Sequence, residues 1–315
     1  MKNYTNRIVA LLLILCLAVA VFPALPTDLE ANAAEVTLNY HSKTFWFTDT
    51  AGTHDGTVIS GGNLTLASGV TSGTFVSNTI NIGTFKYMVA SWNAKTNGGK
   101  ININVQFELS GGSWSGWYSW GTWSSTRGVS GSSDLDGTHA TMGIDTLRVK
   151  SSYTTTGNIK FRVKLTKTNG TPVVSNVTIA TPQMAKQSTV GSYPSYHLNN
   201  VPMRSQTASE NGSIGGVICS PTTTAMAVEY MGTYASSLST AYDMYDNVWG
   251  RYGNWSFAAA YAGEKGYTAY IDFYDVAMAK YALSQGVVLG CSTMLTASGH
   301  IVLLTGYDEA NDQFI

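Results

Sequence analysis

Lys100-Ile-Asn-Ile-Asn-Val-Gln-Phe-Glu-Leu109 places an apolar residue at every second position. Ile101, Ile103, Val105, Phe107 and Leu109 share one side of an extended chain. Asparagine, glutamine and glutamate take the other. Successive side chains of a strand point to opposite faces, so this is the period of a half-buried strand. Residues 158–166 repeat it with Ile159, Phe161, Val163 and Leu165. Outward from these two lie further strand-like runs at 63–67, 73–82, 87–93, 145–150 and 172–178, divided by Gly, Asn and Ser turns. No stretch of this half carries a helical period. Short strands with turn signals between them predict an all-β sandwich over residues 34–182.

The texture then changes. Residues 183–196 are mostly polar, are broken by Gly191 and Pro194, and read as a linker. Residues 221–231 form a helical run stopped by Gly232. Residues 257–264 form a second, ended by Gly266. Asp275 is placed to cap a third over 276–284, and strands follow at 287–293 and 300–307. Helices first and strands later predict an α+β domain over 197–315. The chain is therefore expected to be multidomain, all-β and then α+β.

Of the 315 residues, 44% are hydrophobic and 12% charged. That is about half the usual charged fraction of roughly 25%, and the apolar content argues against disorder. The formal net charge is -1. No strong field is available to grip nucleic acid or an anionic membrane, and neither is expected as a partner. Three cysteines cannot staple a disulfide scaffold.

At the N-terminus Lys2 and Arg7 precede an apolar run over 8–22, which Pro23 and Pro26 break. Ala31-Asn32-Ala33 fits a small-x-small cleavage site, so residues 1–33 read as a secretory signal peptide. The run is short for a membrane span; an uncleaved anchor is the alternative. Cys16 lies inside the run behind Leu15, where a lipoprotein signal needs a small residue, and reads as ordinary filling. A secreted protein is expected, extracellular or at the cell surface, without membrane contact after cleavage.

Chemistry concentrates in Gly215-Gly-Val-Ile-Cys219-Ser-Pro-Thr-Thr-Thr-Ala-Met226. Cys219 stands just before a helix opened by Ser220-Pro221, where proline's missing N–H costs nothing. First-turn N–H groups and the helix dipole favour a thiolate there. The base partner is His300, at the mouth of the apolar strand Ser298-Gly299-His300-Ile-Val-Leu-Leu-Thr-Gly306. A cysteine and a histidine far apart in sequence that meet across a cleft are the usual geometry of thiol hydrolases. His197 lies at the linker; His41, His54 and His139 lie in the β-rich half. Oxyanion donors are the Cys219 backbone N–H and the Gln206 amide.

In order and spacing, Val201-Pro-Met-Arg-Ser-Gln206, Cys219-Ser-Pro-Thr-Thr-Thr-Ala-Met226, the Tyr252–Tyr267 stretch with Gly253-Asn254-Trp255, and Gly299-His-Ile-Val-Leu-Leu-Thr-Gly-Tyr-Asp308 resemble secreted papain-like cysteine peptidases of family thirty-nine. These are C39-like relatives of the peptidases that remove double-glycine leaders from bacteriocins. The resemblance covers residues 197–315. Ala90-Ser-Trp-Asn-Ala-Lys-Thr96, Gly116-Trp-Tyr-Ser-Trp-Gly-Thr-Trp123 and Gly143-Ile-Asp-Thr-Leu-Arg-Val-Lys150 resemble the region that precedes that domain in the secreted members. The resemblance implies Cys219 as nucleophile, His300 as base and Gln206 as oxyanion donor. It gives Gly253, Asn254 and Trp255 a structural role. It implies a peptide or protein substrate, with cell-wall material as a further possibility, and no cofactor or metal. A cell-wall amidase or transpeptidase on the same scaffold is the alternative. A non-catalytic surface or carbohydrate-binding protein is another.

One departure is expected to matter. The family carries an acidic or amide residue on the strand after the histidine strand, and the sequence stops where that strand begins. The peptidase domain is thus expected to be incomplete, with the third residue beyond 315 and this form impaired. Asp308 and Asp312 read as turn residues rather than triad members. Asp134-Leu-Asp136-Gly137 reads as a turn rather than a calcium loop, and Cys291 as a buried thiol. Trp114, Tyr118 and Trp120 are expected on one face of a strand, with Trp117 and Trp123 on the other. The bland reading of that pattern is core on one side and domain contact on the other, and the sharper one is sugar stacking.

Overall fold

The run 100–109 is a strand over its whole length. The computed structural model describes residues 41–125, 137–182, 188, 195–293 and 299–315, and the backbone of 13–18. The cleavage site at 31–33, Asp134 and Asp136, and most of the linker lie outside the described residues.

The strands of the first half are β2 (Ser42–Trp46), β3 (Gly52–Asp55), β4 (Thr57–Ser60), β5 (Asn63–Leu66), β6 (Ser72–Ser77), β7 (Ile80–Asn81), β8 (Tyr87–Lys95), β9 (Lys100–Leu109), β10 (Tyr118–Trp123), β11 (Ala140–Gly143), β12 (Thr146–Val149), β13 (Thr155–Thr166) and β14 (Val173–Ala180). They make two antiparallel sheets, β10-β9-β13-β6-β3 with β7 beside β13, and β11-β12-β8-β14-β5-β4 with β2 beside β14. The apolar positions of β9 and β13 are all buried between the sheets. There Phe161 packs against Phe45 and Phe75, and Phe47 meets Phe75 edge to face.

The tryptophan stretch departs from strict alternation. The β10–β9 register shifts between Ser119 and Thr122, around Gly121 at φ 86°. Such a bulge adds a residue and re-aims the side chains beyond it. Tyr118, Trp120 and Trp123 therefore all point inward and are buried. Trp123 does not lie opposite Trp120, as alternation predicts. Trp114 is outside β10 and lies over Lys160.

The second half is α+β. It contains β15 (Tyr196–His197), a 3-10 segment at Ser209–Val217, α1 (Cys219–Tyr230), α2 (Ser237–Asp243), α3 (Trp255–Glu264), β16 (Thr268–Phe273), α4 (Val276–Ser284), β17 (Val288–Thr293), β18 (His300–Leu304), β19 (Gly306–Asp308) and β20 (Gln313–Phe314). Strand β16 intervenes between α3 and α4, so helices and strands are not segregated as expected. β1 (Leu13–Ala18), from the apolar N-terminal run, lies antiparallel between β16 and β17 in the order β16-β1-β17-β18.

The two halves are joined through β8. Its central residues are buried on both faces. Asn93 donates to the Ala269 carbonyl (2.7 Å) and accepts from the Ala269 N–H (3.2 Å), while Ser91 Oγ accepts from the Ile271 N–H (3.2 Å). Two side chains thus satisfy the edge of β16 as a neighbouring strand would. On the next element Ser256 donates to the Ala90 carbonyl at 2.6 Å. A methyl at Gly263 would stand 2.9 Å from Asn93 Cα, so only glycine lets α3 lie this close to β8.

Candidate functional site

Cys219 is the first residue of α1, not the residue before it. No side chain caps this helix start. Pro221 has no N–H to satisfy, the Thr222 N–H donates to the Ile218 carbonyl at 3.0 Å, and Cys219 itself is half-buried. A helix start of this kind favours an anion.

The loop before it is tied to the Gln206 segment. Gln206 Nε2 donates to the Gly215 carbonyl at 3.0 Å. A methyl on Gly215 would meet the Gln206 carbonyl at 2.8 Å. Asn211, buried beneath, donates to the carbonyls of Ser205 (3.1 Å) and Gln206 (2.9 Å). Arg204 forks onto Glu229 in the last turn of α1. The segment carrying Gln206 is thus tied to α1 through Arg204 and to the 3-10 segment before α1 through Gln206 and Asn211. Asn211 and Arg204 are parts of this arrangement that sequence reading passed over, since neither belongs to a spacing pattern.

His300 opens β18, paired with Thr293 of β17 and preceded by Gly299 at φ 79°. β18 packs against α1, and Thr223, one turn beyond Cys219, donates to the Ile301 carbonyl at 3.3 Å. The helix that Cys219 opens thus packs on the strand that His300 opens, and the Gln206 segment is tied to the loop just before that helix. Beside them a small cavity of about 20 Å³ is lined by Ser220, Thr223, Trp255, Ile271 and Ile301 among others.

Asp308 accepts from the Ala310 N–H (3.0 Å) and from Asn311 (2.6 Å) within its own turn. Asp312 accepts from Tyr307 (2.6 Å) and Lys280 (3.2 Å). Both carry turn and surface contacts. Cys219 and Cys291 are free thiols. Burial pushes the Cys291 thiol up to about 12 and leaves it inert. Among the described residues no cluster of three His, Cys, Asp or Glu could hold a metal ion.

Trp255 is held from two sides. Asn254, fully buried, caps α3 through the Phe257 N–H (3.2 Å) and donates to Asp246 (2.9 Å). Asp145, from the sandwich, accepts the Trp255 N–H at 2.6 Å. Its turn contains Ile144 at φ 46°, a left-handed conformation that a β-branched residue rarely adopts. Burial raises the Asp145 carboxyl to about 7, against the lowering effect of the Trp255 N–H and of Thr146. Asp272 on β16, which accepts from Ser42 of the sandwich at 2.7 Å, is raised by burial to about 6.

Residues 27–182 match the peptidase C39 N-terminal domain, and residues 198–315 match the peptidase C39-like family. No curated protein matches the chain. Among solved structures, the enzymatically active domain of tailspike protein 4 from bacteriophage CBA120 is 12% identical over 46% of this chain and 19% of its own, with a TM-score of 0.23. The GH26-CBM35 β-(1,4)-mannanase of Podospora anserina is 12% identical over 60% of this chain and 34% of its own, with a TM-score of 0.21. The infectious bursal disease virus Gt strain structure is 13% identical over 50% and 37%, with a TM-score of 0.19. The chain thus spans well under half the length of each, and likeness at this level carries no argument. The two family matches fall on the β-sandwich and on the α+β half in turn, and the chain belongs to the C39-like peptidase family.

Proposed function

We propose that the second domain is a thiol hydrolase acting on peptide bonds. Cys219 attacks the carbonyl carbon as a thiolate. The Cys219 backbone N–H and the Gln206 amide hold the resulting oxyanion. His300 gives its proton to the leaving amine as the C–N bond breaks. It then takes a proton from the water that releases the acyl group from sulfur. The observation that supports this reading most is the uncapped start at Cys219 of a helix on which the strand opened by His300 packs.

The test is the rate of alkylation by iodoacetamide near neutral pH, followed by mass spectrometry. Fast, single-site labelling at Cys219 that slows to the rate of an ordinary thiol in His300→Ala supports the pair. Labelling of the unaltered protein no faster than free cysteine refutes it. Cleavage of a peptide library against release of fragments from purified peptidoglycan separates peptidase from wall amidase.

The protein is further proposed to be exported, on the strength of the basic, apolar and small-x-small pattern over 1–33. Cleavage after Ala33 would take β1 with it. N-terminal sequencing of protein from the culture medium checks this: a start at Ala34 supports export, and retention of Met1 in the cell fraction refutes it.

A further inference from the structure

The outward face of β13 carries Lys160, Arg162 and Lys164 in a row, with the core residues Phe161 and Val163 between them and Leu165 after them. Alternate residues on a strand are roughly 6.8 Å apart. On β9 these cations stand opposite Gln106, Asn104 and Asn102. The amides are oriented in one direction. Arg162 donates to Asn104 (2.8 Å), Asn104 donates to Asn102, and Asn102 donates to the Gly121 carbonyl (2.6 Å) and Ser119 (3.0 Å). Two half-buried indoles lie along the same row, Trp117 at 4.2 Å from the Arg162 guanidinium and Trp114 at 4.9 Å from the Lys160 ammonium.

Among the described residues no carboxylate pairs with Lys160, Arg162 or Lys164. Glu108, on the same face, is taken by Thr156 and Asn158, each at 2.8 Å. The Nε of Arg162 is buried without an acceptor. Like charges set side by side on a sheet repel one another. Asp55 of β3 stands on the same face, across Thr74 of β6 from Lys164, and no ion pair joins it to the row.

We propose that this face binds a carboxylated glycan strand. Lysine ammonium groups take the carboxylates, the amide ladder meets hydroxyls, and the indole rings pack on the apolar face of a pyranose. Nucleic acid is the less favoured occupant, because three spaced cations on a neutral protein give a weak field for a phosphate backbone. The face is independent of the Cys219 chemistry.

The experiment is affinity electrophoresis and calorimetry of the full chain with polygalacturonate, alginate and hyaluronan, against hydroxyethylcellulose as a neutral polymer and oligothymidylate as a polyanion. Binding to at least one of the three carboxylated polymers is expected. It should weaken with salt and fall about tenfold or more in the double variant Lys160→Gln/Lys164→Gln. Trp117→Ala should weaken it as well. The lysine pair lies at the surface, so an unchanged unfolding midpoint and unchanged Cys219 labelling certify that variant as folded. No binding to any of the three, equal binding to the neutral polymer, tighter binding to oligothymidylate, or binding that survives the lysine double variant each overturns the proposal.

Discussion

Asn93→Ala tests how much of the α+β half rests on the sandwich. The substitution removes an amide that is only 4% exposed and leaves both the N–H and the carbonyl of Ala269 without their partner. It also removes the acceptor of Asn176 Nδ2 at 3.2 Å. A buried polar group left unpaired costs about 1–3 kcal/mol, so two on β16 cost about 2–6 kcal/mol. That is a large share of a stability of about 5–15 kcal/mol. Asn63, whose amide makes one exposed contact with Gly61, is the control, and Asn63→Ala should change stability by about 0.5 kcal/mol or less. The measurement is urea unfolding followed by tryptophan fluorescence, with proteolysis at the linker as a second readout. If Asn93→Ala unfolds within about 0.5 kcal/mol of the unaltered protein, β16 does not depend on this amide, and the account of the domain contact is wrong.

Three further outcomes are expected. Because the folded Asp145 carboxyl is raised from 3.8 to about 7, the folded state binds its proton more tightly than the unfolded chain. Stability contributed by Asp145 is therefore complete below about pH 4 and is lost as pH rises through 7, by at most ~4 kcal/mol. Asp145→Asn should flatten this slope between pH 5 and 8, leaving the smaller part from Asp272; equal slopes in urea midpoints would contradict the burial argument. Gly263→Ala should cost about 1–3 kcal/mol by forcing α3 off β8, and a neutral effect in thermal unfolding would show that the contact is loose. Gly215→Ala should push back the Gln206 carbonyl and lower kcat about tenfold or more with Cys219 alkylation intact. A parallel loss of alkylation would mean that the loop merely collapsed.

Legibility in the sequence tracks the strength of local signals. β9 and α4 sit within the expected bounds, because a ten-residue alternation and an Asp275 cap onto the Met278 N–H (2.8 Å) are strong local determinants. α2 was not legible, being seven residues long with no apolar stripe. β16 hides because Asp272 interrupts its apolar run, and only a partner from the other half makes that carboxyl tolerable. The β10 bulge turns on one glycine. The polar positions of β8, Ser91 and Asn93, carry no local sign that they meet the backbone of the other half. At the candidate site Cys219, His300 and Gln206 were each nameable from their motifs. What ties the elements that carry them is the packing of α1 on β18 and the Asn211 and Arg204 contacts, which leave no trace in spacing.

Helix α3 takes one of its first-turn acceptors from Asp145, 110 residues earlier in the chain, and β16 takes its edge partners from 176 and 180 residues earlier. Pairings so distant are slow to form from an unstructured chain. During synthesis, however, the sandwich leaves the ribosome first and can fold as a unit. When residues 255–273 emerge, their template already stands. The order of translation thus turns these distant contacts into a docking step, and a circular permutant that makes the α+β half first should refold with a longer lag than the native order does.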